Sequence, residues 1–397
     1  MQRNRASMAI ARRTIEALVA ALAALGPLTV SAEIIRVGPG MQYASAREAA
    51  AIAEDGDTVE IAAGEYVGDV AAWSQSDLTI RGVGGIAHFR ANGEAAERKG
   101  IWVIKGNNVI VENIEFSGAR VADKNGAGIR HEGGNLTVRS CRFHENENGI
   151  LAGNGPATIR IENSEFWKNG HGDGRSHNIY INMIDRLEVT ASHFHQAVVG
   201  HNIKSRARET IITYSRIEDG TSGNASYLVD TPNGGRVVLI GNILQQGPYA
   251  ENGTLLAYNL EAEGRAQGEL FIINNTFVND RHAGQFMKIA NPLAHVHVQN
   301  TIFLGRGELA DRDIRQVSNL VVEDERSWLG AGKVFRDRNA GDYRLAEEAK
   351  AVDAGTALEE FGMEELRPVS EYRDTARSVE RNTVGAIDIG ALERGLD

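Results

Sequence analysis

The sequence predicts an all-β chain wound as a right-handed parallel β-helix, with an N-terminal capping helix and a C-terminal tail packed on the last coils. Three observations carry that prediction. An eight-residue block of strand periodicity recurs, its copies starting 27, 23, 28, 23, 27, 33 and 26 residues apart. A second short strand lies between successive blocks. The composition, 44 Gly and 7 Pro with 42% hydrophobic residues in 397, suits many turns around a large core better than it suits helices. Units of this size cannot bury a core alone and must stack.

The chain opens on a basic stretch, "MQRNRASMAIARR", followed by the Ala-rich apolar run "IEALVAALAALGPLTV" and the small residues "VSA" at Val30–Ala32. That is the layout of an export signal over residues 1–32, and the run is too short for a membrane anchor of about 20 apolar residues. Removing it leaves 38 basic and 52 acidic residues, a net charge of −14. Nucleic acid and membrane are therefore not expected partners of the mature chain, and an exported monomer is expected. Cys141 is the only cysteine, so no intrachain disulfide staples it.

The segment "SAREAAAIAEDGDTVEIAAGEYVG" reads as a short amphipathic helix, a turn at Asp55–Asp57 and a first strand. A polar-faced helix over the open end keeps a solenoid soluble. The blocks then begin: "VIVENIEF" (109–116), "LTVRSCRF" (136–143), "IRIENSEF" (159–166), "LEVTASHF" (187–194), "TIITYSRI" (210–217), "VVLIGNIL" (237–244), "LFIINNTF" (270–277) and "VHVQNTIF" (296–303). Each alternates apolar and polar residues with the period of a strand. Asn113, Asn163, Asn274 and Asn300 share one register, which predicts a partial inner ladder of amides. The β-helix is expected to span 33–310, with 311–397 as terminal coils and closing tail.

The second strands are "GIRHE", "GILAG", "NIYIN", "NIKSR" and "YLVDT". If Ile129, Ile150, Ile179 and Ile203 point inward, their neighbours point out. Arg130 and Glu132 then face solvent in one coil, Asn178, Tyr180 and Asn182 in a later coil, and Asn202, Lys204 and Arg206 in the next. With coils about 4.8 Å apart, Tyr180 lies beside Lys204. His177 and His201 open their strands at matching positions. This is an unusual gathering of cations and proton carriers for an acidic chain.

These residue types suit β-elimination of a uronate. A cation neutralises the C6 carboxylate, a base removes the C5 proton, and an acid protonates the departing O4. The expected roles are Arg206 as neutraliser, Lys204 as base and Tyr180 as acid, with His201 and His177 orienting or replacing them. Repulsion from Arg206, about 7 Å away on the same strand face, is expected to ease loss of the Lys204 proton. Substrate contacts are expected from Arg130, Asn182, Asn202, Arg175, Tyr227, Asp230 and Tyr249. Arg175 lies in the loop "NGHGDGRSHN" (169–178), and Tyr258 is a further candidate for stacking on a sugar.

The tail segments "FRDRNAGDYRLAEEAKAVDAG" and "VGAIDIGALE" resemble the closing segment of secreted β-helix proteins. Over most of residues 34–394 this resemblance implies a pectate-lyase-like superfamily architecture, which hosts polysaccharide lyases, hydrolases, epimerases and depolymerases. The motif "HNIKSRA" resembles the Lys-Ser element of the alginate lyase and chondroitinase B family. There the Lys is the base and an Arg about one coil later is the acid. The carry-over reaches Lys204 only: "YLVDT" holds no Arg, the Glu-x-Glu calcium pair is missing, and "GIRHEGG" (128–134), similar to that family's Arg-His-Gly element, stands upstream of Lys204. The Asp-Pro-His-Asp signature of mannuronan epimerases is missing too.

An acidic polysaccharide is thus the expected partner and a lyase the expected activity. A glycoside hydrolase on the same fold is the alternative, with Asp173, Asp185 and Asp230 as candidate carboxyls, although the polygalacturonase elements are absent. A non-catalytic glycan-binding β-helix is the third reading. No cofactor is certain. Calcium would find oxygen ligands in Asp173, Asp185 or Asp219, and His193, His195 and His201 are a weak candidate metal set.

Overall fold

The fifth residue of each block turns a corner. Asn113, Ser140, Asn163, Ala191, Tyr214, Gly241, Asn274 and Asn300 all have φ between 49° and 65°, the left-handed region that Asn and Gly enter most cheaply. Each block is therefore two strands and a bend, and each coil has three strands. One coil consists of Leu136–Arg139, Arg142–His144 and Asn148–Ala152, and its successor of Thr158–Glu162, Glu165–Trp167 and Ile179–Ile181. Corresponding strands pair in parallel from coil to coil. The structure, a computed structural model, describes residues 32–261, 268–290, 294–324, 332–358 and 363–395. The predicted export segment, apart from Ala32, lies outside the described residues.

The corner corrects one expectation. Of the four fifth-position Asn residues only Asn274 and Asn300 are buried and bonded to each other, at 3.3 Å beneath the tail, while Asn163 is exposed and Asn113 half-buried, so the fifth position does not build a continuous ladder. The sixth does. The backbone N–H of Cys141 donates to Ser164 Oγ at 3.1 Å, that of Ser164 to Ser192 Oγ at 3.2 Å, and that of Ser192 to Ser215 Oγ at 3.1 Å. The series continues through Asn242, Asn275, Thr301 and Asn319. Each bend thus satisfies a buried amide that neither flanking strand can reach. Cys141 itself is buried, and burial pushes its thiol up to about 12, which rules out thiolate chemistry at neutral pH.

The eighth position fills the core. Phe116, Phe143, Phe166 and Phe194 are wholly buried in register. The last two pairs of this series stack at 4.6 Å with planes 2° and 3° apart. Burying each ring is worth about 1.5–3 kcal/mol, with about 0.5–1.5 kcal/mol more for each aromatic pair.

At the N-terminal end the helix Ala46–Ile52 is capped by Ser45. Ser45 Oγ accepts from Glu48 N at 3.2 Å, and Glu48 Oε2 accepts from Ala44 N at 2.8 Å. At the other end two antiparallel hairpins, Phe335–Asp337 with Asp342–Leu345 and Ser370–Arg373 with Arg377–Glu380, belong to the tail. Phe335, Tyr343, Leu345, Tyr372 and Leu392 pack on Ile243, Val278, Ile302 and Leu304, apolar side chains of the late coils. Among the described residues no helix is long and apolar enough to cross a membrane.

Candidate functional site

The ten second strands form one parallel sheet in coil order. Ile129, Ile150, Ile179 and Ile203 are paired in register with none of their surface exposed, as the alternation predicts. The row beside them runs Arg130, Leu151, Tyr180, Lys204, Asp230, Ala257. Tyr180, Lys204 and Asp230 therefore follow one another on three adjacent coils.

Lys204 Nζ lies 3.0 Å from Asp230 Oδ2 and donates to Glu261 Oε1 at 3.2 Å. Arg206 donates from Nε to the Tyr180 hydroxyl at 3.0 Å, from Nη1 to Asn233 Oδ1 at 2.6 Å, and from Nη2 to Glu261 Oε2. Lys204 and Arg206 thus take one oxygen each of a single carboxylate, that of Glu261. Both cations also lie over the Tyr180 ring, 5.7 and 5.9 Å from its centre. Lys204 is only 8% exposed. Its ion-pair partners are two carboxylates, those of Asp230 and Glu261, neither of which the strand alternation marks as a partner of Lys204. Burial raises the Asp230 carboxyl above the usual carboxylate range, against the pull of Lys204. Desolvation acts on Glu261 in the same sense, but Arg206 and Lys204 hold its carboxyl below that range.

The two histidines build the platform. His177 Nδ1 accepts from the His201 backbone N–H at 2.9 Å, and His201 Nδ1 accepts from Tyr227 N–H at 3.2 Å. Their rings stack at 4.6 Å. An accepting Nδ1 places the proton of each neutral ring on Nε2, and His201 Nε2 faces Asp230 Oδ2 at 3.4 Å. Burial, then the Lys204 charge, pulls the His201 imidazole down to about 3. Burial and the same cations hold His177 well below its ordinary value. Both shifts favour the neutral rings, which the hydrogen bonds to Nδ1 fix in place.

Other expected contacts divide. Asn178 and Asn202 do not face solvent. Both are buried in an amide stack with Asn146 and Asn169, in which Asn178 Nδ2 donates to Asn202 Oδ1 at 2.7 Å. Their strands begin one residue later than the alternation assumed, at Ile179 and Ile203. Asn182 follows its strand, with Nδ2 bonded to Ala152 O at 2.8 Å, as a corner residue. Arg130 is in the outward row, but Leu151 stands between it and Tyr180, and its Nε lies 3.4 Å from Glu132. Tyr227 is half-buried with its ring 5.0 Å from that of His201. Arg175 and Tyr249 are exposed on loops. Tyr258 is core: it is fully buried, and its hydroxyl donates to Gly235 O at 2.8 Å.

Sequence reasoning missed Asn233 and Glu261. Asn233 lies in the turn after Val229–Thr231, and Glu261 lies three residues beyond the strand Thr254–Tyr258. Neither follows the strand alternation, so no periodic signal marks them. The candidate calcium ligands have separate partners: Asp173 accepts from Arg175 N, Asp185 pairs with Arg208, and Asp219 accepts from Gly247 N. His193 and His195 lie on a block strand, on a different sheet from the strand that His201 precedes. A groove of about 910 Å³ between the block strands and the hairpin residues 375–378 holds none of the Lys204 cluster.

Residues 73–182 match the sequence profile of the right handed beta helix region family. None of the curated proteins matches the sequence. The solved structure of pectate lyase Pel9A is similar with a TM-score of 0.60 at 14% identity, covering 92% of this chain and 98% of that one. The PL6 family alginate lyase AlyGC aligns with a TM-score of 0.37 at 16% identity, over 76% of this chain and 38% of that one. The chain is a right-handed parallel β-helix protein that shares its fold with a pectate lyase.

Proposed function

We propose that the protein is an exported lyase that cleaves a uronate-containing polysaccharide by β-elimination at the Tyr180–Lys204–Arg206 wall. The observation that carries this reading is the shared hold of Lys204 and Arg206 on one carboxylate. Glu261 occupies the position that the C6 carboxylate of a uronate would take. Its side chain is 49% exposed at the edge of the cluster, so displacing it costs little burial. The solved pectate lyase fold and the export layout of residues 1–32 support the same reading.

In the reaction, Lys204 and Arg206 together neutralise the C6 carboxylate and so acidify the C5 proton. Tyr180, reacting as its phenolate with the oxygen accepting from Arg206 Nε–H, takes that proton and becomes the phenol. The C5–H electrons form the C4=C5 double bond, the C4–O4 bond breaks, and the proton passes to O4. In this assignment Tyr180 rather than Lys204 is the base, because Lys204 Nζ is taken up by Asp230 and Glu261 while, among the described residues, the Tyr180 oxygen stands free of any carboxylate and accepts only from Arg206.

One observation favours hydrolysis as a second reading. Asp230 and Glu261 both reach one ammonium nitrogen, and their carboxyls are pushed in opposite directions, as an acid and a nucleophile require. Incubating the protein with a panel of polyuronates separates the two. Elimination yields an ultraviolet-absorbing unsaturated uronate. New reducing ends without that absorbance would replace elimination with hydrolysis, and neither signal would overturn both.

A further inference from the structure

The outward face of the second block strands carries a histidine cluster that the elimination chemistry leaves unused. His88, Glu115 and His144 come from three successive coils, and one ligand atom of each lies within 4.8 Å of the others. Glu115 Oε1 is at the centre, 3.0 Å from His144 Nε2 and 3.6 Å from His88 Nε2. An ion with tetrahedral bonds of about 2.0–2.1 Å spaces its donors roughly 3.3–3.4 Å apart, so small side-chain shifts would seat one. The rings are tilted 40° with centres 5.7 Å apart, so they are not held as a parallel stack.

The surroundings fit a ligand shell. His144 Nδ1 faces Glu145 Oε2 at 3.6 Å, a carboxylate behind an imidazole, as ligating histidines commonly have. Trp167 stacks on the His144 ring at 4.3 Å and 11° and fixes its plane. Ser117 Oγ lies 2.8 Å from His88 Nε2, beside the position an ion would take. All three ligands are half-buried, with 15–19% of each side chain exposed, so an ion could enter from solvent.

A second set, Glu165, His193 and His195, repeats the chemistry two coils on. It suits an ion less well. Its rings stack nearly parallel at 4.4 Å and 28°, and His193 Nε2 is held by Glu218 at 2.9 Å, leaving Nδ1 at 4.0 Å from Glu165.

We infer that His88, Glu115 and His144 form a binding site for a divalent transition ion of the zinc class, which staples three consecutive coils together. Two imidazoles and a carboxylate suit Zn²⁺ better than they suit calcium. The ion would tie the early coils on a sheet other than the one that bears Lys204.

The test uses the untagged full chain, freed of metal with chelator and titrated with Zn²⁺ alone by calorimetry, with thermal unfolding followed in parallel. Stoichiometric uptake is expected, together with a rise in Tm. Both should weaken tenfold or more in His144→Ala and in the near-isosteric Glu115→Gln, and persist in His195→Ala. Circular dichroism checks the fold, and if His144→Ala fails to fold, Glu115→Gln decides alone. No stoichiometric uptake by the wild type would overturn the site, as would uptake that survives Glu115→Gln or is lost only in His195→Ala.

Discussion

Arg206 donates from its Nε–H to the Tyr180 hydroxyl at 3.0 Å, across adjacent coils. The phenol oxygen therefore accepts a charge-assisted hydrogen bond that fixes where it sits. The same guanidinium holds Glu261 on its far edge. In the proposed mechanism one residue thereby links the proton carrier to the carboxylate slot.

Glu261 is predicted to compete with substrate. Glu261→Ala empties the slot, so KM for a polyuronate should fall several-fold with kcat nearly unchanged. Steady-state kinetics check this. A collapse of kcat would instead mark Glu261 as a reacting carboxylate.

Lys204 is predicted to matter for stability as well as for chemistry. Lys204→Met leaves the buried Asp230 carboxylate without its cation and should cost about 3–5 kcal/mol. Adding Asp230→Asn should recover much of that loss in chemical denaturation, while activity stays absent. If the single variant is as stable as the wild type, the pair contributes nothing to the fold.

His201 should make stability fall with acid. Its imidazole is pulled from an ordinary 6.5 down to about 3. Its contribution is therefore fully present above about 6.5 and lost as pH falls from there toward 3, because only the unfolded chain takes up the proton. Asp219, raised by burial to about 7, contributes with the opposite sign, losing stability as pH rises from its ordinary 3.8 through 7. Comparing wild type with His201→Gln cancels the Asp219 effect. The stability gap between the two should narrow as pH drops from 7 to 4, and a gap independent of pH would contradict the assignment.

Phe166 lies between two parallel rings in the core stack. Phe166→Ala should cost roughly 3–5 kcal/mol, as for other buried aromatics. Thermal or denaturant unfolding measures it.

The coil was legible because strand alternation and an eighth-position Phe, Ile or Leu recur every 23–33 residues, and each of those eighth residues is fully buried. The register that brings Tyr180 beside Lys204 follows from the inward Ile positions alone. Two features were not legible. Asn202 and Asn178 look like outward residues by alternation, yet each precedes its strand and turns inward to satisfy corner amides. Glu261 reaches Lys204 from the loop after the strand two coils on from that of Lys204, and loop geometry has no period. The partners of a cation are tertiary facts, so the sequence placed Arg206 near Lys204 but not the two carboxylates that pair with it. The fifth-position Asn residues were read as an inner ladder because amides stack well, but their left-handed backbone assigns them to the bend.

The most direct test is the rate at which Tyr180→Phe forms ultraviolet-absorbing product from a polyuronate that the wild type cleaves. The ring and its place beside His177 are kept, and Arg206 retains Asn233 and Glu261, so the fold and substrate binding should survive. A fall in kcat of roughly 100-fold or more with KM little changed is expected for loss of an acid–base group. A rate within a few-fold of wild type would contradict the role of Tyr180 and the elimination mechanism built on it.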